Sequence, residues 1–169
     1  CDAILAASET IGCFLAGQFC GMTLSEPEVI RTITQTEASD VFFGNSMPIR
    51  DADMFGAPDG CVMKVHANRG ASGIDGNIAT VAGIAHANGS VTAVIGDLAA
   101  LHDLNSLALL KANKVVLVII NNAGGGIFSF LPIAEQGKHV EEFFNTPHDC
   151  TFESAATMYG LPYVRPESM

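Results

Sequence analysis

The sequence predicts an α/β domain built on a parallel sheet flanked by helices. Three observations carry this expectation. Short apolar runs alternate with segments that fit helices. The runs are apolar at successive positions, as strands are when a parallel sheet is covered on both faces. Each run also ends in an unusual cluster of Gly, Asn, Ser, Arg or Asp. In open α/β sheets the ligand lies outside the carboxyl ends of the strands.

Taken in order, "AILAASETIGCFLAGQF" (3–19) reads as a helix of mixed small and large apolar residues. Ser25 and Glu28 in "SEPE" predict a capping box for a second helix running to about residue 38. "DVFFG" (40–44) is a short buried strand, followed by "NSMPIRDADMFG", which reads as a polar loop. "CVMKVHA" (61–67) is a second strand ending in "NRGASGIDG". "GNIATVAGIAHANG" (76–89) is a helix rich in small residues, and "VTAVIG" (91–96) is a third strand ending in "GDLAALHDLN". "SLALLKAN" (106–113) continues a helix, and "KVVLVII" (114–120) is a fourth strand ending in "NNAGGGIFSFLP". "FESAATMY" (152–159) is a last helix, and "LPYVRP" begins a further strand. Residues 1–39 are expected to be a helical lead-in, and 40–169 the ligand-binding domain, cut short at its carboxyl end.

Composition narrows the partners. A net charge of −10 argues against nucleic acid. No apolar run approaches the roughly 18 residues of a membrane span. Apolar residues make up 49% and charged ones 15%, a balance suited to a domain that buries further surface against partners. The chain begins on Cys1 rather than Met, which reads as an excerpt of something longer. The five cysteines show no CxxC spacing, so reduced thiols are expected. The five histidines show no metal or triad spacing and read as structural or surface residues.

The strand ends carry the chemistry. Asp97 follows the third strand directly; it can cap the helix after it or ligate a divalent cation. Asn121 and Asn122 follow the fourth strand and offer amide oxygens, and three glycines then allow close backbone approach. An octahedral Mg²⁺ shell takes about six oxygens. Asp97, the Asn122 amide and a backbone carbonyl near Gly124 could supply three, with phosphate oxygens and water completing it. Arg50 and Arg69 are two of only eight basic residues and sit at strand ends, where an Arg fork suits a carboxylate.

Gly96-Asp97, followed by a helix, a strand and Asn121-Asn122, resembles the thiamine diphosphate motif. Together with "GNSMPIRD" and "NRGASGIDG", the pattern resembles the diphosphate-binding domain of the MenD family, the 2-succinyl-5-enolpyruvyl-6-hydroxy-3-cyclohexene-1-carboxylate synthases of menaquinone and phylloquinone biosynthesis. The resemblance runs from about Val41 to Arg165. Leu98 replaces the last glycine of the general Gly-Asp-Gly, and Ala123 stands where a polar residue is more usual.

The resemblance implies thiamine diphosphate with Mg²⁺ or Mn²⁺, and a reaction that decarboxylates 2-oxoglutarate and adds the resulting unit to isochorismate. It implies that Asp97, Asn122 and Gly124 hold the metal. Gly73, Gly96, Leu98 and Ala99 would approach the diphosphate, and Ile74 would wedge the cofactor into a bent shape. Arg50, Arg69, Asn45 and Ser46 would face the substrate carboxylates, beside an apolar wall of Ile127, Phe128 and Leu131. It further implies a homodimer or homotetramer, in bacterial cytoplasm or plastid stroma, and a separate pyrimidine-binding domain that supplies an activating Glu. Every Glu of this chain lies outside the four strand-end motifs, so half a site is expected here. An acetolactate synthase-type enzyme and a non-catalytic phosphate-binding module are the alternatives.

Overall fold

The computed structural model describes residues 2–19, 24–36, 39–57 and 63–166. Its sheet is made of β1 (Asp40–Phe43), β2 (Lys64–His66), β3 (Ser90–Gly96) and β4 (Lys114–Ile120). The strand order is β2-β1-β3-β4, and every pairing is parallel. All four carboxyl ends therefore open onto one edge. The chain runs outward in both directions from the β1–β3 pair, so the strand order reverses there, and this is where such sheets form a crevice.

Alternation along the strands divides the core in two. Phe42, Ala93 and Ile95 point to one face, where they meet Ile78, Val81 and Ala85 of α4 (Asn77–Asn88). Ala99 and Ala100 of α5 (Asp97–His102) and Leu107 and Leu110 of α6 (Leu107–Leu110) complete this layer, and Ala155 and Tyr159 of α8 (Glu153–Tyr159) pack against it. Val41, Phe43 and Val94 point the other way, onto Ile30 and Ile33 of α2 (Glu26–Gln35). Ile49 and Ala52 of α3 (Met47–Phe55) pack on the same side. Only the two inner strands are covered as the sequence predicts. Val65 on β2 and Val116 on β4 are 55% and 61% exposed, each on an edge strand of the sheet among the described residues.

Asp40 knits the amino-terminal end of the sheet. Its Oδ1 lies 2.7 Å from His66 Nε2 and 2.6 Å from Asn88 Nδ2, joining β1 to β2 and to the end of α4. The imidazole beside it holds its carboxyl below the ordinary range, against the opposing effect of burial.

Several expectations are corrected. "NSMPIRDADMFG" is not a loop: residues 47–55 form α3, which starts with Pro48 in its first turn and buries Ile49 and Ala52. Ser25 does not cap α2. Among the described residues its Oγ and Glu28 Oε2 are buried without hydrogen-bond partners, and Pro27 removes one N–H that a cap would bond. α2 ends at Gln35, and the predicted end near 38 lies outside the described residues, as do 61–62 of the second strand. Residues 161–166 are not a strand: Val164 is 80% exposed, and among the described residues no fifth strand pairs with it. α7 (Lys138–Phe143) was not expected. α1 (Asp2–Phe19) is a helix as predicted, with Ile4, Leu5, Ile11 and Phe14 all more than half exposed. Buried Arg31 ties it on by donating to Gly12 O at 3.0 Å and to Phe55 O at 3.3 Å. Among the described residues no helix is long and apolar enough to cross a membrane.

Asp51 gives the fold a measurable pH signature. It is 2% exposed, and its Oδ2 has no hydrogen-bond partner among the described residues. Burial, aided by the nearby Glu26 charge, pushes its carboxyl up to about 6 from 3.8. The folded state thus favours the protonated form. The associated stability is fully present below 3.8 and is lost as pH rises through about 6. Asp51→Asn removes this dependence. Measured by thermal unfolding against pH, the Tm difference between Asp51→Asn and the parent should grow in favour of the variant across that window. A difference that stays flat would contradict the assignment.

Candidate metal and diphosphate site

The carboxyl end of β3 delivers Asp97, which is 2% exposed. Gly96 turns the chain there in an extended conformation, and Asp97 starts α5. Its Oδ1 accepts the N–H of Leu98 at 2.7 Å and its Oδ2 accepts the N–H of Gly124 at 3.0 Å. The second bond is the important one, because it joins the end of β3 to the glycine loop after β4. Each carboxylate oxygen keeps a further lone pair. No Lys or Arg among the described residues pairs with this buried charge.

The loop from 121 to 126 is shaped by backbone constraints. Ala123 has φ 65° and Gly124 φ 148°. A Cβ on Gly124 would lie 2.5 Å from Asn145 O, and one on Gly126 would lie 2.9 Å from Asn122 Nδ2. The first glycine admits the segment around 145 and the second makes room for the Asn122 amide. Gly125 N–H donates to Asn145 O at 2.7 Å, and His148 N–H to Ala123 O at 3.3 Å. Asn121 is spent on the loop itself: its Oδ1 accepts Ala123 N–H and its Nδ2 donates to Cys150 O. Asn122 behaves differently. Its Nδ2 donates to Glu26 Oε1 at 2.8 Å, and its Oδ1 accepts no hydrogen bond among the described residues. The Gly124 carbonyl accepts one bond, from Gly126 N–H, and has a second lone pair.

Two residues at this site were invisible to sequence reasoning. His148 Nε2 lies 3.2 Å from Asp97 Oδ2, with the His148 side chain 11% exposed, although it is not aligned for a hydrogen bond. His148 Nδ1 accepts Cys150 N–H, which leaves the proton on Nε2, facing the carboxylate. It is therefore not a remote structural or surface histidine. Glu26 comes from α2, far from any strand end, and meets the site through the Asn122 amide.

The remaining predicted residues form a second group on the β1 and β2 ends. Asn45 Nδ2 donates to Asn68 O at 2.9 Å and to Gly73 O at 3.0 Å, and Arg69 Nη1 reaches Asn45 Oδ1 at 3.4 Å. Ser46 holds φ 79°, an uncommon conformation for a residue with a side chain, and its carbonyl accepts Arg50 Nη1 at 2.6 Å. Arg50 and Arg69 line one cavity of about 460 Å³ with Phe43, Ile49 and Met63. Ile74 packs against the α4 side of the core. Phe128 stands edge-on to Phe144, ring centres 5.4 Å apart; Ile127 is partly buried and Leu131 is 39% exposed. Leu98 N–H is taken by Asp97. Ala99 is a buried residue of α5 itself, in whose first turn the backbone N–H groups lack i−4 carbonyl partners. A Cβ on Gly96 would meet nothing within 4 Å, so the backbone there is open to close approach.

The donor set fits a hard divalent cation shared with a phosphate. No group of three or more His, Cys, Asp or Glu among the described residues is placed to hold a metal by itself. Mg²⁺ is instead commonly held by one or two carboxylates plus substrate phosphates and water. One buried carboxylate, a free amide oxygen and a free carbonyl lone pair match that requirement.

A scan of the chain against models of known protein families finds no match. Individual proteins do match. The chain is 52% identical over 148 residues to a 2-succinyl-5-enolpyruvyl-6-hydroxy-3-cyclohexene-1-carboxylate synthase of Rubrobacter xylanophilus, covering 86% of this chain and 26% of that protein. It is 49% identical to the synthase of the same name in Salinibacter ruber, over 86% of the chain and 25% of the relative. It is 41% identical to that of Shewanella loihica over 98% of the chain and 30% of the relative. The chain thus spans about a quarter of the length of these curated relatives. Two solved structures share the fold. A benzoylformate decarboxylase from Polynucleobacter necessarius has a TM-score of 0.60 at 15% identity, over 85% of this chain and 28% of that one. A thiamine diphosphate-dependent 4-hydroxybenzoylformate decarboxylase of Rhodococcus jostii has a TM-score of 0.64 at 18% identity, over 83% and 27%. Over the stretch it shares with these relatives, the chain is similar to the 2-succinyl-5-enolpyruvyl-6-hydroxy-3-cyclohexene-1-carboxylate synthases.

Proposed function

We propose that this chain is the part of such a synthase that binds the diphosphate end of thiamine diphosphate through Mg²⁺. The observation that carries the reading is Asp97: a buried carboxylate, met by two N–H groups and by no Lys or Arg among the described residues. A buried anion so placed calls for a cation. Asp97, the Oδ1 of Asn122 and the carbonyl of Gly124 would hold it. Open backbone at Gly96 and the first-turn N–H groups of α5 suit the phosphate oxygens that share the metal.

Thiamine diphosphate supplies the electron sink for decarboxylation when bound. The residues of this chain bind and orient. Arg50 and Arg69 line a common cavity and can each take a carboxylate with two parallel bonds. A pair of guanidinium groups suits a dicarboxylate such as 2-oxoglutarate, and then isochorismate, better than it suits pyruvate. Asn45 holds Arg69 and the Gly73 carbonyl together, so the β1 and β2 ends move as one unit. Ile127 and Phe128 lie just beyond the glycine loop and would exclude water beside the reacting carbon. The partner domain that activates the cofactor, and the dimer or tetramer that would join it to this one, belong to the same reading.

Two outcomes test it in the intact protein. Asp97→Ala should weaken Mg²⁺-dependent retention of thiamine diphosphate by more than about 100-fold, beyond the loss from an outer-shell partner; cofactor content after gel filtration measures this. Undiminished retention would remove Asp97 from the site. Gly124→Ala places a Cβ against Asn145 O at an unfavourable φ. It should cost about 1–3 kcal/mol of stability in thermal or denaturant unfolding. A neutral effect would show that the loop conformation is not constrained.

A further inference from the structure

Asn122 presents two chemically different ends on one planar group. Only Oδ1 can ligate a cation, whereas the NH₂ end repels it. A half-turn of the amide exchanges the two, so a ligand of this kind needs something to fix its orientation. The partner on Nδ2 is Glu26 Oε1, at 2.8 Å. An ionised carboxylate only accepts hydrogen bonds. With the amide reversed, Oδ1 would face Glu26 lone pair to lone pair. Glu26 therefore selects one of the two orientations.

The surroundings make that selection firm. Glu26 lies in the first turn of α2, where the helix dipole favours a carboxylate. α2 is anchored by Ile30, fully buried, and by Arg31, whose guanidinium is held by two backbone carbonyls. The carboxylate thus hangs from a fixed element. On the other side, the missing side chain at Gly126 leaves space for the NH₂ end, since a Cβ there would lie 2.9 Å from Nδ2.

We propose that Glu26 is a positioning residue for the metal site: by accepting Asn122 Nδ2–H it turns Oδ1 of Asn122 toward the cation. This rests on the reading of Asn122 as a metal ligand. It also makes α2, a helix outside the strand-end motifs, part of the metal site's supporting shell, which such sites need for affinity.

The test is Mn²⁺ binding to the intact protein in the presence of thiamine diphosphate, followed by loss of the free Mn²⁺ spin-resonance signal. Glu26→Ala should weaken Mn²⁺ by about 10-fold, the low end for loss of an outer-shell partner, while leaving the metal-free Tm near that of the parent. A polarity swap separates positioning from a merely structural role. Asn122→Asp alone sets two carboxylates against each other and should bind Mn²⁺ poorly, despite its added charge. Adding Glu26→Gln restores a donor–acceptor pair and should recover affinity. Asn122→Ala is the control for the underlying reading. If it binds Mn²⁺ as the parent does, the ligand assignment fails and the proposal falls with it. If Asn122→Ala weakens binding but Glu26→Ala does not, the proposal alone is wrong. If Glu26→Ala lowers the metal-free Tm, the swap decides: a double variant no tighter than Asn122→Asp would overturn the positioning role.

Discussion

The Gly124 N–H bonded to the Asp97 carboxylate joins the ends of β3 and β4 beyond their ladder. The carboxylate is buried, so its solvation must come from the protein. Leu98, Gly124 and the nearby His148 provide part of it. The geometry of the glycine loop follows from this demand. Gly124 must approach closely and holds a φ of 148°, the segment around Asn145 packs where a side chain would stand, and Gly126 leaves room for the Asn122 amide. A site of this kind keeps an incompletely compensated charge at the switch point of the sheet, where a cation and an anion can complete it together.

The rest of the fold serves that edge. Two apolar layers fix β1 and β3, the strands that deliver Asn45 and Asp97, and the edge strands are left partly uncovered. At the far end of the sheet, Asp40 Oδ1 meets both His66 and Asn88. The contrast is chemical: that carboxylate finds its partners within the chain, whereas Asp97 has lone pairs to spare. The uncovered apolar residues of α1, and of β2 and β4 at the sheet edges, fit a chain that spans about a quarter of its relatives' length.

Much of the architecture was legible because strands in a parallel sheet leave continuous apolar runs. β1, β3 and β4 fall where "DVFF", "VTAVIG" and "KVVLVII" place them, and the small-residue helix α4 follows the same logic. What escaped depends on contacts distant in sequence. α3 looked polar because few of its inward residues are apolar: Ile49 and Ala52 pack partly buried on the core, Pro48 and Asp51 are buried, and Arg50, Asp53 and Met54 stay outside. Ser25 and Glu28 have the spacing of a capping box, but at the start of α2 the Ser25 Oγ and Glu28 Oε2 are buried and make no cap hydrogen bond among the described residues. "LPYVRP" has strand composition without a strand to pair with among the described residues. His148 and Glu26 could not be found by spacing at all: one lies 51 positions after Asp97 and the other 96 before Asn122, and only the docked loop brings them in.

The central claim is that Asp97, Asn122 and Gly124 converge on one metal shared with a diphosphate. The most direct measurement is anomalous scattering from crystals of the intact protein grown with Mn²⁺ and thiamine diphosphate. The account predicts a single strong peak at the carboxyl edge of the sheet, about 2.1 Å from an Asp97 oxygen, Asn122 Oδ1 and the Gly124 carbonyl, as for an octahedral Mg²⁺ site. A peak elsewhere, or a cofactor bound with its diphosphate away from Asp97, would contradict it.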